Sequence, residues 1–275
     1  MDISQLLKSA VQLNHRSDTA TVDCELLLCH VLNVERSYLK TWPDRELNSA
    51  DQAQFQQLLE RRIQGQPIAY LIGTQGFWTL DLNVSPDTLI PRPETELLVE
   101  AALELELPEQ SKALDLGTGT GAIALALASE RSQWQISAVD LMPNAVQLAS
   151  ANCHRHQLNN VEIFQSSWFA EIPAQRFNLI VSNPPYIEDN DVHLTQGDVR
   201  FEPASALVSG SDGLNDLRLL IAESVNYLAD RGWLMVEHGY QQGPAVRELF
   251  EQAGFAQVET RRDLNDLERI TLGCY

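Results

Sequence analysis

An α/β fold is predicted for this chain: a seven-stranded, mostly parallel sheet with helices on both faces, preceded by a small helical bundle. Three observations predict it. Apolar residues keep helical spacing through the first part of the chain, short β-rich runs then alternate with helical ones, and a glycine-rich turn, Gly117-Thr118-Gly119-Thr120-Gly121, joins the first run of the alternating region to a helix. With 275 residues, 44% of them hydrophobic, there is material for one large core and one smaller one.

Ile3, Leu6, Leu7, Ala10 and Val11 line one helical face, as do Val22, Leu26, Leu27, Val31 and Leu32, and then Phe55, Leu58, Leu59 and Ile63. Ser49 with Gln52 reads as a capping box for the third helix, and Gly65 as its C-terminal stop. A helical domain over residues 1–73 follows. From Phe77 the period changes to two, Leu80, Leu82 and Val84 alternating with polar neighbours, so residues 74–94 read as a β-hairpin and linker ending near Pro91-Arg92-Pro93. The second domain, 95–275, carries strand-like runs at 113–116, 136–139, 161–164, 179–182, 233–236, 258–260 and 269–272. Only RRDLNDLE separates the last two, which therefore read as an antiparallel hairpin at one edge of the sheet.

Lys plus Arg total 19 against 38 for Asp plus Glu, a formal charge of −19, with no basic run to interrupt it. Tight nucleic-acid binding usually relies on Lys and Arg to neutralise phosphates, so no stable nucleic-acid complex is expected and a basic protein partner suits the charge better. No stretch approaches the roughly 18 apolar residues of a membrane span, and the start lacks the pattern of a signal peptide, so a cytoplasmic protein without membrane attachment is expected. Cys24, Cys29, Cys153 and Cys274 form no C-x-x-C pair, which suggests buried thiols and no metal.

Glycines in the turn permit backbone angles that other residues resist, and leave the backbone open to a ligand. A dinucleotide site would place a third glycine where Ala122 stands. The alternate-glycine form after Asp115 is instead similar to the first motif of S-adenosylmethionine methyltransferases, which makes Gly117, Thr118, Gly119, Thr120 and Gly121 candidate donor contacts. Asp140, closing the second strand, is placed to accept from the ribose hydroxyls of an adenosine ligand, and Trp168, after the third, is a candidate wall for the adenine ring.

Asn183-Pro184-Pro185-Tyr186 follows the fourth strand, on the side of a parallel sheet where ligands bind. An amide or exocyclic amine nitrogen is a poor nucleophile because its lone pair is delocalised. Two acceptors, the Asn183 side-chain oxygen and the Pro184 carbonyl, would take both N–H bonds, aim the nitrogen at the methyl and stabilise the charge that develops on it. Pro184 and Pro185 stiffen the loop, and Tyr186 offers a flat surface to a planar substrate group.

Taken together these residues resemble the HemK-type peptide-chain release factor glutamine N5-methyltransferases over nearly the whole chain. Leu89-Ile90-Pro91-Arg92-Pro93-Glu94-Thr95-Glu96, Arg200-Phe201-Glu202-Pro203, Asp212-Gly213-Leu214 and Glu237-His238-Gly239 carry the resemblance beyond the shared methyltransferase motifs. It implies a Rossmann-like methyltransferase fold, S-adenosyl-L-methionine as donor, and methylation of the glutamine in the Gly-Gly-Gln motif of class 1 release factors. It also implies that Asn183 contacts the donor, that Asn183 to Tyr186 hold the glutamine amide, and that the helical domain recognises the release factor. The family usually has an Asp where Ser167 stands, and a hydroxyl is a weaker acceptor for the adenine amino group. Arg92 and Glu94 read either as active-site loop contacts or as a linker ion pair, and Glu237 as a site residue or a helix cap. The chief alternative is an adenine-N6 methyltransferase for DNA or RNA, which the same Asn-Pro-Pro-Tyr chemistry would serve. A non-catalytic module that keeps the donor pocket would need neither Asn183 nor Tyr186.

Overall fold

A computed structural model describes residues 1–15 and 17–275. They divide into two compact units, one of residues 1–74 with 195–201 and one of 75–194 with 202–275.

The first unit holds α1 (Ile3–Leu7), α2 (Ala20–Leu32), α3 (Arg36–Thr41), α4 (Ser49–Ile63) and α5 (Ile68–Ile72), with a 3₁₀ turn at Lys8–Leu13 following α1. Ile3, Leu13, Leu27, Leu28, Phe55 and Leu59 form its core; Ile3, Leu27, Phe55 and Leu59 come from the expected helical stripes, Leu13 and Leu28 do not, and Val11 of the first stripe is exposed. The start of α4 differs by one residue from the capping box expected at Ser49. Asn48 is the cap, its side chain accepting from the Asp51 N–H at 2.9 Å, while the Gln52 amide donates to the Leu47 carbonyl. Asn is at least as good an N-cap as Ser, so the earlier residue takes the role. At the other end Gly65 adopts φ +96°, and the N–H groups of Gly65 and Gln66 reach the carbonyls of Arg62 and Arg61, which stops the helix. The stretch 195–201 joins this unit because the Arg62 guanidinium donates to Asp23 at 2.8 Å and to Asp198 at 3.0 Å, and Arg200 donates to the Gln64 carbonyl.

The second unit opens on a hairpin, β1 (Thr74–Phe77) and β2 (Leu80–Asn83). Among the described residues a seven-stranded sheet follows, built from β3 (Lys112–Leu116), β4 (Gln135–Asp140), β5 (Val161–Gln165), β6 (Phe177–Ser182), β7 (Leu228–Glu237), β8 (Ala256–Arg262) and β9 (Glu268–Cys274). Its order is β5-β4-β3-β6-β7-β9-β8, with β5 through β7 parallel and β9 antiparallel to both its neighbours. The terminal hairpin thus sits at an edge, with its second strand inside and its first outside.

Each central strand is buried on both faces, and successive residues serve different cores. Leu179 and Val181 of β6 pack with α6 (Glu96–Glu104) and α7 (Ala122–Glu130), while Ile180 between them packs with α9 (Asn215–Ser224) and α10 (Gly243–Gln252). A helix, α8 (Pro143–Arg155), links β4 to β5. After β5 the chain returns to lay β6 against the other side of β3. Strand order reverses there, so the carboxyl ends of β3, β4 and β6 border one crevice, the usual ligand site of such sheets. No helix among the described residues is long and apolar enough to cross a membrane.

Candidate active site

The glycine turn leaves the end of β3 with Gly117, Gly119 and Gly121 all at positive φ. The N–H groups of Gly117 and Thr118 both donate to the Val139 carbonyl at 2.9 Å, tying the turn to β4. The φ of +74° favours glycine at Gly117, and a Cβ there would crowd the Trp168 ring at 3.2 Å. Below the turn, fully buried Asp115 accepts from the Thr118 hydroxyl at 2.7 Å and from the Ala124 N–H at 3.2 Å, joining strand, turn and helix. Its other oxygen, Oδ1, has no hydrogen-bond partner among the described residues, and burial pushes its carboxyl up to about 7. Asn152 of α8, also buried, donates to the carbonyls of Thr120 and Asn83.

Asp140 ends β4. It accepts from the N–H groups of Gly119 and Met142, each at 2.9 Å, and burial raises its pKa against the pull of those donors. Trp168 adopts φ +49°, and its carbonyl accepts from the Ser166 hydroxyl at 2.8 Å.

Asn183 follows β6. Its Nδ2 donates to the Thr95 hydroxyl at 3.1 Å, Thr95 donates to Glu237 Oε2 at 2.7 Å, and the Tyr186 hydroxyl donates to Glu237 Oε1 at 3.0 Å. Glu237, the last residue of β7, is 2% exposed. Burial raises its pKa, opposed by its bonds from Thr95 and Tyr186 and by the charge of Arg269; burial followed by the Glu237 charge raises that of Tyr186. The loop after β6 is fixed from behind, where Gln242 donates to the Tyr186 carbonyl at 3.0 Å and Gly213, at φ +69°, leaves no room for a Cβ against that same carbonyl.

Gly117, Thr118, Gly119, Thr120, Asp140, Ser167, Trp168, Asn183 and Pro185 line one cavity of about 220 Å³. Gly121, Pro184 and Tyr186 do not line it, Tyr186 being committed to Glu237. Arg92 and Thr95 do line it. The ion pair of Arg92 is with Glu202, not Glu94, and the second Glu202 oxygen accepts from the Ile90 N–H at 3.1 Å. Thr95, Glu202 and Asn152 were not singled out from the sequence. Thr95 and Glu202 stood inside the motifs that carry the family resemblance, whereas Asn152 lies in an ordinary helix and gave no signal.

A mostly parallel sheet with a glycine turn at its switch point is a nucleotide-binding architecture, and the similarity of its sequence makes this chain a methyltransferase. Residues 93–211 match a family model described as Methyltransferase small domain, and residues 5–73 one described as PrmC N-terminal domain. Among solved structures, a methyltransferase from Pyrococcus furiosus is similar in fold, with a TM-score of 0.56 at 17% identity over 78% of this chain and 96% of that one. The delta-N METTL16 MTase domain gives a TM-score of 0.54 at 17% identity, over 72% of this chain and 89% of that one. Sequence similarity is far closer to the release factor glutamine methyltransferase of Pseudomonas aeruginosa, at 55% identity over 94% of this chain and 93% of that one. That of Escherichia coli K12 is 50% identical over 100% of this chain and 99% of the other. The chain belongs to the release factor glutamine methyltransferase family.

Proposed function

We propose that this enzyme methylates the side-chain amide nitrogen of the glutamine in the Gly-Gly-Gln motif of class 1 peptide-chain release factors, with S-adenosyl-L-methionine as methyl donor. The observation that carries the reading is the single cavity lined by both the glycine turn and Asn183. The residues fit the donor. The turn has no side chain at Gly117 and Gly119, the Trp168 ring stands beside Gly117, and each Asp140 oxygen keeps acceptor capacity beyond the backbone N–H it already binds. When bound, S-adenosyl-L-methionine supplies an electrophilic methyl group.

The chain's own residues do the rest. Gly117 to Thr120 form the floor, with Gly121 completing the turn behind it, Asp140 accepts from the ribose hydroxyls, Trp168 stacks on adenine, and Ser167 stands where the family's carboxylate would meet the adenine amino group. Asn183 Oδ1 and the Pro184 carbonyl accept the two N–H bonds of the glutamine amide, Pro185 and Tyr186 shape the loop around it, and Asn183 also borders the donor. Fixing that NH2 group removes rotational freedom and places acceptors where positive charge develops. The helical unit recognises the release factor. The charge of −19 favours encounter with a partner that works on ribosomal RNA and carries basic surface, so activity should fall as salt rises. The reaction belongs to translation termination, hence to the cytoplasm.

The test is transfer of labelled methyl to three substrates in parallel: a release factor, its variant with the Gly-Gly-Gln glutamine replaced, and DNA. Label on the intact factor alone supports the reading; label on DNA alone replaces the substrate assignment with adenine methylation.

A further inference from the structure

We propose that Glu237, acting through Thr95, sets the direction in which Asn183 presents its carboxamide, so that both are positioning residues for methyl transfer. The inference rests on the reading that Asn183 Oδ1 accepts from the substrate amide.

An asparagine side chain is nearly symmetric in shape and opposite in hydrogen-bonding sense at its two ends. Rotated by half a turn, Asn183 would offer an NH2 group to the NH2 group of the substrate, donor against donor, and the clamp would fail. The neighbouring groups decide the outcome. An ionised carboxylate only accepts, and both Glu237 oxygens are committed, Oε1 to the Tyr186 hydroxyl and Oε2 to the Thr95 hydroxyl at 2.7 Å. The single Thr95 proton is therefore spent on Glu237. What Thr95 has left is lone pairs, and the atom 3.1 Å away must be a donor, which is Asn183 Nδ2. Oδ1 is then the end of the carboxamide left for the substrate.

Two further observations support this polarity. Thr95 has helical backbone angles where the 3₁₀ turn Pro93–Thr95 runs into α6, so its hydroxyl caps no helix N–H. Its hydroxyl is held in the relay instead. Glu237 in turn sits beside the loop that carries Asn183 because β6 and β7 are paired, Ser182 opposite Val236, and the residues that follow these two are Asn183 and Glu237. Burial raises the Glu237 pKa, against the ionised form that the relay requires, while the bonds from Thr95 and Tyr186 and then the charge of Arg269 act for it.

The experiment uses the full-length enzyme with a release factor as substrate and measures kcat, KM and donor Kd for Thr95→Val, Thr95→Ser, Glu237→Met, the Thr95→Val/Glu237→Met pair and Asn183→Ala. Thr95→Val is expected to lower kcat about tenfold or more, with KM and donor Kd within about twofold of wild type, and Thr95→Ser to restore most of the rate. Glu237→Met, which also releases the Tyr186 hydroxyl, is expected to lower kcat at least as much as Thr95→Val, and the double variant to be no worse than Glu237→Met alone, since one relay can be broken only once. Wild-type kcat in Thr95→Val, or no recovery in Thr95→Ser, overturns the relay. Should Glu237→Met not fold, the two Thr95 variants decide alone. Collapse in Asn183→Ala beside an unaffected Thr95→Val removes the relay but leaves the clamp; wild-type kcat in Asn183→Ala removes both.

Discussion

Asp140 and Gly119 are joined by a 2.9 Å hydrogen bond from the glycine N–H to Oδ2, so the residue proposed to bind the donor also holds the glycine turn proposed as its floor. Oδ1 accepts from Met142 in the same way. A carboxylate has about four acceptor sites, so capacity remains on both oxygens. Asp140→Ala should weaken S-adenosylmethionine binding by about tenfold to a hundredfold, the scale of one or two lost hydrogen bonds to a charged group, while kcat at saturating donor changes less. Titration calorimetry measures this directly, and an unchanged Kd would remove Asp140 from the donor site.

Asn183→Ala separates binding from chemistry. Donor Kd should stay within a few-fold, because the glycine turn, Asp140 and Trp168 are untouched, while kcat should fall about a hundredfold or more, as when an aligned acceptor or donor is removed from other active sites. Turnover at the wild-type rate would eliminate the amide clamp.

Asp115 should make stability depend on pH. Burial raises its carboxyl from the model-compound value of 3.8 to about 7, so across that window the folded protein keeps a proton that the unfolded chain has released. Stability contributed by the protonated form is present at the low end and falls as pH rises toward 7, with no further change above it. Thermal melts from about pH 5 to pH 8 should therefore decline more steeply for the wild type than for Asp115→Asn. Parallel curves for the two proteins would mean that Asp115 is not the group responsible.

Arg62 is the corresponding test for the helical unit. Its side chain and that of Asp23 are 9% and 6% exposed, so Arg62→Met leaves a buried carboxylate with only the Thr19 hydroxyl to serve it. A loss of about 3 kcal/mol or more is expected in denaturant unfolding. Asp198→Asn, at a side chain 40% exposed, should cost about 1 kcal/mol or less. Equal losses would show that the outer pair matters as much as the inner.

Much of this architecture was legible because its signals are local. The strand runs announced themselves because residues such as Leu179, Ile180 and Val181 are all buried, each facing one core or the other. The glycine turn and the Asn-Pro-Pro-Tyr loop are continuous in the chain, and their chemistry can be read from a few neighbours. The helices α3 and α5, of six and five residues, are too short for a helical period to register. Thr95 and Glu237 are 142 residues apart, and Ile90 and Glu202 are 112 apart, so nothing near any of the four in sequence discloses its partner. Arg92, open in the sequence between an active-site loop contact and a linker ion pair with Glu94, both borders the cavity and pairs with Glu202, a partner 110 residues away that no neighbouring residue discloses.

The inner position of β9 has a consequence for how the protein is made. A growing chain delivers β3 to β8 first, yet β8 pairs with the sheet only through β9, the last of the strands to be synthesised. Until that strand arrives, the edge of β7 stands open and β8 has nothing to join, an exposed template of the kind that invites wrong partners. Closure of the enzyme's own sheet thus waits on β9, the last of its seven strands to be made.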